Sequence, residues 1–371
     1  MHLGLDVGST TVKLVFIDKN DNIVYSRYQR HFADIRKTIY ELVSEAYQHF
    51  RDERITVTVT GSGGISVSKW LKLPFMQEVI ASSKAIERFI PQTDVVIELG
   101  GEDAKITYFD GGVDQRMNGT CAGGTGAFID QMASLLKTDA QGLNELAKEY
   151  KVIYPIAARC GVFAKTDIQP LLNEGAARED IAASVFQSVV NQTISGLACG
   201  RPIRGNVAFL GGPLYYLSEL RKRFIETLNL GPEQVIFPEN SQLFVALGAA
   251  LASKSEMPFL FRELKDRLST LDEFQDHEVE RLRPLFINDE ELEEFKKRHG
   301  RSTVKRGELA GFKGKCFLGI DAGSTTTKAA LIDEDGTLLY SYYGSNEGSP
   351  IKSAVKILKD LYSQLPPGAE I

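Results

Sequence analysis

Two short turns that contain glycine, the first of them also rich in hydroxyl residues, are the parts of this sequence best suited to bind phosphate. Each has an aspartate beside it, Asp6 in the first case and Asp103 in the second. Glycine lets backbone N–H groups approach one anion closely, and hydroxyls add further donors. The candidate phosphate-binding residues are Gly8, Ser9, Thr10, Thr11, Lys13, Gly100 and Gly101. The two carboxylates suit Mg²⁺ held mainly through water, so we predict that they organise this cation and the attacking water.

A third glycine-rich element completes the predicted nucleotide site. The apolar run 207–210 ends in Gly211 and Gly212, and Pro213 comes next, in a position that suits the first turn of a helix. A nucleoside could lie against such an open backbone. The sequence contains neither a GxxxxGK[ST] nor a GxGxxG motif, so it supports neither a P-loop nor a Rossmann dinucleotide site.

Hydrophobic periodicity around these turns predicts an α/β fold with two similar halves and a nucleotide in the cleft between them. The predicted strands are 3–7, 12–17, 23–28, 55–59, 95–99, 105–109 and 207–210. The predicted helices are 35–50, 82–90, 125–137, 143–150, 162–173, 178–197, 214–228 and 243–252.

The beginning of the sequence recurs near its end. Leu3–Asp18 (LGLDVGSTTVKLVFID) and Leu318–Asp333 (LGIDAGSTTTKAALID) are identical at 10 of 16 positions without a gap. We therefore predict three regions: a complete unit over residues 1–252, a charged linker of solvated helices over 253–315, and the first part of a repeated unit over 316–371. Because the second copy is much shorter, we expect the chain to be the N-terminal part of a longer protein.

Composition narrows the possible environments and partners. The 371 residues are 43% hydrophobic and 25% charged, and the net charge is −6. This acidic balance argues against a nucleic-acid partner. No apolar run approaches the roughly 20 residues that span a bilayer, and the N-terminus does not resemble a signal peptide. We therefore expect no membrane association and a cytoplasmic location, where the four cysteines stay reduced.

The phosphate turns resemble those of the superfamily of actin, sugar kinases and heat-shock chaperone ATPases. Within it, residues 118–128 (NGTCAGGTGAF) and 158–165 (ARCGVFAK) are similar to activators of 2-hydroxyacyl-CoA dehydratases and to ATP-binding subunits of benzoyl-CoA reductase. The resemblance covers about residues 1–252, and the repeat is similar to that of long activases with two units. It implies a two-lobed actin-like (ribonuclease-H-like) fold, and an ATPase that reduces an iron–sulfur acyl-CoA dehydratase or reductase after accepting electrons from a ferredoxin- or flavodoxin-type donor.

Cys121 and Cys160 match the positions of the iron–sulfur ligands in that family. They are 39 residues apart and each precedes a predicted helix, whose N-terminus favours a thiolate. A [4Fe–4S] cluster takes four thiolates, and one chain offers two in suitable places. A homodimer with one shared cluster is the simplest solution. For Cys199 we expect a buried structural thiol, and for Cys316 a position in a strand.

These observations predict an ATP-hydrolysing iron–sulfur electron donor that binds ATP or ADP with Mg²⁺ and acts on its partner at very low potential. Two other functions stay open. A sugar or acid kinase would use the same turns, with Asp103 or a neighbour as base, and would need no cluster. A nucleotide-gated interaction module would bind ATP with negligible turnover.

Overall fold

The structure is a computed structural model that describes residues 1–371 except 52, 120–122, 159, 270–281, 324 and 347. The chain forms two compact units. Unit 1 comprises Met1–Asp167 and Arg178–Phe274, and unit 2 comprises Ile168–Ala177 and Gln275–Ile371.

Unit 1 contains two five-stranded sheets of the same design. The first consists of β1 (His2–Val7), β2 (Thr11–Ile17), β3 (Ile23–Arg30), β4 (Arg54–Thr60) and β10 (Phe259–Leu260), in the order β10-β4-β1-β2-β3. The second consists of β5 (Val95–Leu99), β6 (Ala104–Tyr108), β7 (Asp114–Met117), β8 (Val207–Leu210) and β9 (Val235–Ile236), in the order β7-β6-β5-β8-β9. In each sheet a central strand has an antiparallel hairpin partner on one side and a parallel strand on the other.

Among the described residues, eleven α-helices lie in unit 1 or begin in it. They are α1 (Ile35–Phe50), α2 (Gly64–Leu71), α3 (Glu78–Phe89), α4 (Gly126–Leu135), α5 (Ala140–Ala147), α6 (Gly161–Asn173), α7 (Arg178–Thr193), α8 (Gly212–Tyr216), α9 (Ser218–Leu228), α10 (Phe244–Ser253) and α11 (Phe261–Ser269). Short turns of other helix types lie at Ile194–Ala198, Pro232–Gln234 and Ser241–Leu243. One core packs α1, α2 and α11 against the first sheet, and another packs α3 and α10 against strands of both sheets.

The predicted strands of unit 1 are present, with ends shifted by a residue or two. The predicted helix 214–228 is instead two helices, because Leu217 is extended and buried between α8 and α9. Asn144 of α5 then caps α9, since its Oδ1 accepts the Glu219 N–H at 2.9 Å. A tertiary cap of this kind has no local sequence signal.

The first part of segment 253–315, predicted as a linker of solvated helices, is packed into unit 1 instead. Phe261, Leu264 and Leu268 of α11 are buried in the core of the first sheet, and Phe259–Leu260 pairs with β4. The expectation of a solvated helix is therefore wrong for α11. Its charged residues face outward, and its apolar residues recur at helical spacing on the inner face.

Unit 2 repeats the first half of unit 1. It contains α12 (Asp289–His299), β11 (Gly314–Ala322), β12 (Thr326–Asp333), β13 (Leu338–Ser345), α13 (Pro350–Gln364) and β14 (Ala369–Glu370). The sheet order β13-β12-β11-β14 matches β3-β2-β1-β4, with β11 antiparallel to β12 and parallel to β14. The sequence repeat is therefore also a repeat of topology.

Candidate functional site

The first predicted phosphate turn connects β1 to β2. The Gly8 N–H donates to the Thr11 carbonyl at 2.9 Å, which closes a tight four-residue turn. The second turn, between β5 and β6, has the same construction, since the Gly100 N–H donates to the Asp103 carbonyl at 2.8 Å. The two turns lie against each other: a Cβ added to Gly101 would come within 2.0 Å of Thr10 Oγ1. Only glycine therefore permits this approach of the two halves.

Asp6 and Lys13 form a buried ion pair at the base of the first turn. They face each other across β1 and β2, and Asp6 Oδ2 lies 2.8 Å from Lys13 Nζ. Burial alone would lower the pKa of Lys13, but the Asp6 carboxylate raises it above its ordinary value. Asp6 Oδ1 is buried and has no hydrogen-bond partner among the described residues. An unpartnered carboxylate oxygen in this position fits a water ligand of Mg²⁺.

Glu98 and Lys105 form the corresponding pair at the second turn, facing each other across β5 and β6. Lys105 Nζ lies 3.6 Å from Glu98 Oε1, 2.6 Å from Glu78 Oε2 and 2.5 Å from Asp103 Oδ2. Burial raises the pKa of the Glu98 carboxyl. It would lower that of Lys105, but the carboxylates of Glu98, Asp103 and Glu78 raise it well above its ordinary value.

Sequence reasoning missed Glu98, Lys105 and Glu78. A signal for the first two was available, because an acid precedes a lysine by seven positions in DVGSTTVK, in ELGGEDAK and again in DAGSTTTK. In an antiparallel hairpin with a short turn, this spacing places the acid and the lysine opposite each other. Glu78 has no such signal, because the start of α3 brings it in from another part of the chain.

Gly211 and Gly212 close the side of the site where a nucleoside was predicted. Gly211 has a φ of +92°, and a Cβ there would lie 2.1 Å from the Leu99 carbonyl oxygen. Its N–H donates to the Ser241 carbonyl, which brings the 241–243 turn to the site. Ser241 Oγ and Gln242 Oε1 are buried there without a hydrogen-bond partner in the described part of the chain. Sequence reasoning missed both residues.

These elements line one cleft in unit 1 with about 570 Å³ of free volume. The structure brings together all the predicted phosphate-turn residues, both aspartates and the Gly211–Gly212 pair. Backbone amides, hydroxyls and two lysines offer donors for phosphate oxygens, and Asp6, which carries the unpartnered carboxylate oxygen, lines the same space. The residues present therefore fit a nucleotide polyphosphate and a hydrated Mg²⁺.

The second turn is bonded directly to α4. The N–H groups of Gly126 and Ala127, in the first turn of this helix, donate to the Gly100 and Gly101 carbonyls at 3.0 and 2.7 Å. Cys121 stands five positions before Gly126, outside the described residues.

Cys160 is a half-buried free thiol directly before α6. A side chain added at Gly161 would come within 3.5 Å of Phe128, so the start of α6 lies against α4. A thiol at the beginning of one helix and beside another fits a metal-binding thiolate. Across the described ranges, no group of three or more His, Cys, Asp or Glu side chains could hold a metal ion. Because Cys121 is not described, the predicted cluster stays a prediction.

The other two cysteines differ from each other. Cys199 is exposed, so the expectation of a buried structural thiol is wrong. It ends the helical turn Ile194–Ala198 in a left-handed conformation, and its thiol donates to the Gly196 carbonyl at 3.3 Å. Cys316 lies in the strand β11, as predicted, and its side chain is buried.

Unit 2 has its own copy of the first turn. The Gly323 N–H donates to the Thr326 carbonyl at 3.0 Å, and Lys328 Nζ lies 2.9 Å from Asp321 Oδ2. This pair is exposed, with 67% of the Asp321 side chain accessible to solvent compared with 3% for Asp6.

In the part of the chain that the structure describes, none of the helices has the length and apolar character needed to cross a bilayer.

Residues 3–253 match the model of a family described as the BadF/BadG/BcrA/BcrD ATPase family. The 2-hydroxyisocaproyl-CoA dehydratase activator of Clostridioides difficile is 29% identical over 269 residues, which are 71% of this chain and 98% of that protein. The activator of lactoyl-CoA dehydratase of Anaerotignum propionicum is 31% identical over 259 residues, which are 67% of this chain and 95% of that protein.

The solved structure of the activator of the 2-hydroxyisocaproyl-CoA dehydratase from Clostridium difficile, with bound ADPNP, is also similar. It superposes with a TM-score of 0.58 and 27% identity, covering 75% of this chain and all of that one. The predicted actin-like fold is thereby confirmed, as is the resemblance to this group of activators.

Proposed function

The chain belongs to the BadF/BadG/BcrA/BcrD ATPase family, and from this premise we propose that it is an ATP-hydrolysing activator that reduces a partner acyl-CoA dehydratase or reductase through an iron–sulfur cluster. Relatives that match this chain over nearly their whole length are named as activators of such dehydratases, which supports the partner class. The final substrate lies in the partner enzyme. A ferredoxin- or flavodoxin-type protein would supply the electrons.

ATP would bind in the cleft of unit 1. Gly8, Ser9, Thr10 and Thr11 on one side and Gly100 and Gly101 on the other would contact the phosphates, and the Gly211–Gly212 backbone would contact the nucleoside. Lys13 would balance phosphate charge while its pair with Asp6 keeps both side chains in place. Asp6 and Asp103 would orient the water ligands of Mg²⁺ and the attacking water.

The observation that carries the proposal is the direct bonding of the second phosphate turn to α4. A shift of Gly100 and Gly101 on loss of the γ-phosphate would pull on the Gly126 and Ala127 N–H groups that donate to their carbonyls. Cys121 precedes Gly126, the first residue of this helix, by five positions in the sequence. Nucleotide hydrolysis could thus change the surroundings of the cysteines without a long relay.

Cys121 and Cys160 would be the cluster ligands, two from each chain of a homodimer. The [4Fe–4S] cluster supplies a one-electron carrier of low potential when bound. Val162 and Phe163, two and three positions after Cys160, are 72% and 65% exposed, which is unusual for apolar side chains. A second copy of the chain seated over a shared cluster would cover them.

The kinase alternative needs Asp103 or a neighbouring residue as a free base. The Asp103 Oδ2 lies 2.5 Å from Lys105 Nζ, and the Asp103 Oδ1 lies over Gly100. A carboxylate engaged in this way is poorly placed to accept a proton from an acceptor hydroxyl. The interaction-module alternative differs from the proposal only in lacking turnover and iron.

Anaerobic purification with iron analysis and an ATPase assay tests the proposal. A brown dimer with about four irons that hydrolyses ATP is the expected result. Cys160→Ser and Cys121→Ser should each lose iron, because a hydroxyl is a poor ligand for iron, and both should still bind ATP. Cys199→Ser is the matched control and should keep its iron. A colourless protein with acceptor-dependent turnover would favour the kinase, and a colourless ATP binder without turnover would favour the module.

A further inference from the structure

His31 lies directly behind the first phosphate turn, although the sequence gives it no ligand spacing. It comes directly after β3, is only 6% exposed, and is not among the residues that line the nucleotide cleft. Its Nε2 lies 3.2 Å from the Gly8 carbonyl oxygen. Its backbone N–H donates to the Thr10 carbonyl at 3.1 Å. One residue thus contacts two carbonyls of the turn.

The contacts of the imidazole determine which nitrogen carries the proton. The Ala33 N–H donates to Nδ1 at 3.1 Å, so Nδ1 must present its lone pair. In a neutral imidazole the proton is then on Nε2, which donates to the Gly8 carbonyl. Both ring nitrogens are satisfied in this tautomer.

The bond to Gly8 fixes the direction of the next peptide group. In a trans peptide the C=O and the following N–H point in opposite directions. Because the Gly8 carbonyl points to His31 behind the turn, the Ser9 N–H points to the cleft that Gly8 and Ser9 line. We propose that His31 is a positioning residue that presents the Ser9 N–H to a phosphate oxygen of the bound nucleotide. This inference rests on the nucleotide site proposed above.

The repeat in unit 2 supports this role independently. Asn346 is the equivalent of His31 at the repeat offset, and its backbone N–H donates to the Thr325 carbonyl at 3.0 Å. Its side-chain Nδ2 donates to the carbonyl of Gly323, the equivalent of Gly8. Two different side chains therefore hold the same carbonyl from the same side. What they share is a hydrogen-bond donor, which indicates that the turn requires a donor to this carbonyl rather than a particular side-chain shape.

The turn after His31 is strained. Phe32 and Ala33 both have positive φ values, +44° and +67°, which are unfavourable for residues other than glycine. Burial of Phe32 does not explain this conformation, because its side chain is 84% exposed. The conformation does bring the Ala33 N–H to His31 Nδ1, where it selects the tautomer that donates to Gly8. Retained strain of this kind is typical of segments that hold a functional group in place.

Two variants of similar size separate the donor from the shape of the side chain. His31→Asn keeps a donor, as in the repeat, and His31→Leu has none. In the full-length protein with Mg²⁺ and ATP, we expect His31→Leu to raise the ATP Kd and the KM by about tenfold, with a much smaller change in kcat. His31→Asn should restore most of the affinity. Fluorescence of Trp70, the only tryptophan in the sequence, should show that unit 1 is folded in both variants.

The proposal is overturned if His31→Leu binds ATP as tightly as the wild type, or if His31→Asn is as weak as His31→Leu. A measurement on the wild type covers the case in which a variant does not fold. The ¹⁵N shifts of the His31 ring should show the proton on Nε2, and a proton on Nδ1 would overturn the proposal. Wild-type protein that does not bind ATP would contradict the proposed function instead.

Discussion

Replacing Asp6 by asparagine is the sharpest test of the first phosphate turn. The side chain keeps its size but loses the charge that pairs with Lys13. Removing one partner of a buried ion pair costs about 3–5 kcal/mol, because the other charge stays buried alone. Asp6 and Lys13 are 3% and 17% exposed, so we expect the lower end, about 3 kcal/mol of unfolding free energy. ATPase activity should fall at least about tenfold, a barrier increase of about 1.4 kcal/mol.

The chain contains its own control for this substitution. Asp321 and Lys328 form the same pair in the same hairpin of unit 2, but are 67% and 40% exposed. Exposed pairs contribute about 0–1 kcal/mol, so Asp321→Asn should have little effect on stability. Urea unfolding followed by Trp70 fluorescence reports on unit 1, where that side chain packs against the core. Circular dichroism of the same samples monitors both units.

A different order of stability loss in the two variants would refute this explanation. Asp6→Asn protein as stable as the wild type, or more stable, would mean that repulsion among the cleft carboxylates outweighs the attraction to Lys13. Unchanged ATPase activity in Asp6→Asn would remove Asp6 from the mechanism. A large loss of stability in Asp321→Asn would show that burial does not determine the strength of these pairs.

Three further changes test the rest of the site and its support. Gly101→Ala places a Cβ 2.0 Å from Thr10 Oγ1 in the first turn, so calorimetry should show ATP binding about tenfold weaker. Gly119→Ala is the control and should bind ATP normally, because a Cβ there has nothing within 4 Å. Burial raises the pKa of Glu98, so ionisation of its carboxyl lowers the stability of unit 1 as pH rises through that pKa. Glu98→Gln should therefore be more stable than the wild type at pH 8. This difference should disappear below the ordinary glutamate pKa of about 4.3. Deleting α11 together with every later residue should lower the stability of unit 1 by on the order of 5 kcal/mol, because three buried side chains are lost, whereas a deletion that begins after α11 should leave the Trp70 transition unchanged.

The strands and the nucleotide cleft were accessible from the sequence because their signals are local. Strands such as β5 and β8 are short continuous apolar runs between polar turns, and glycine marks each phosphate turn. The helix α2 was missed although Val67 and Leu71 are buried at helical spacing, because its eight residues are rich in serine and β-branched side chains. Local preference and tertiary burial disagree there, and burial determines the structure.

The elements that sequence reasoning placed wrongly or missed depend on contacts between distant segments. The burial of α11 depends on the first sheet, and the partners of Lys105 include Glu78 from a separate helix. Cys199 is exposed at a helix end and has a left-handed conformation, neither of which an apolar helical pattern predicts. For Glu98, in contrast, the acid–lysine spacing was present in the sequence and would have found it.

One hairpin design, an acid and a lysine facing each other across a tight turn, therefore occurs three times in the described residues, and its surroundings decide what it can do. In unit 1 two such hairpins face each other, so Gly101 meets Thr10 and both ion pairs are buried beside one cleft. The described part of unit 2 has one hairpin of this design. Its acid is open to solvent, although its turn carbonyl is held by Asn346. The geometry of a single turn is thus encoded by its local sequence. A site that binds and hydrolyses a nucleotide requires two such turns in contact, because charge interactions are strong where water is excluded. For this reason unit 1, and not the repeat of its first half, carries the proposed activity.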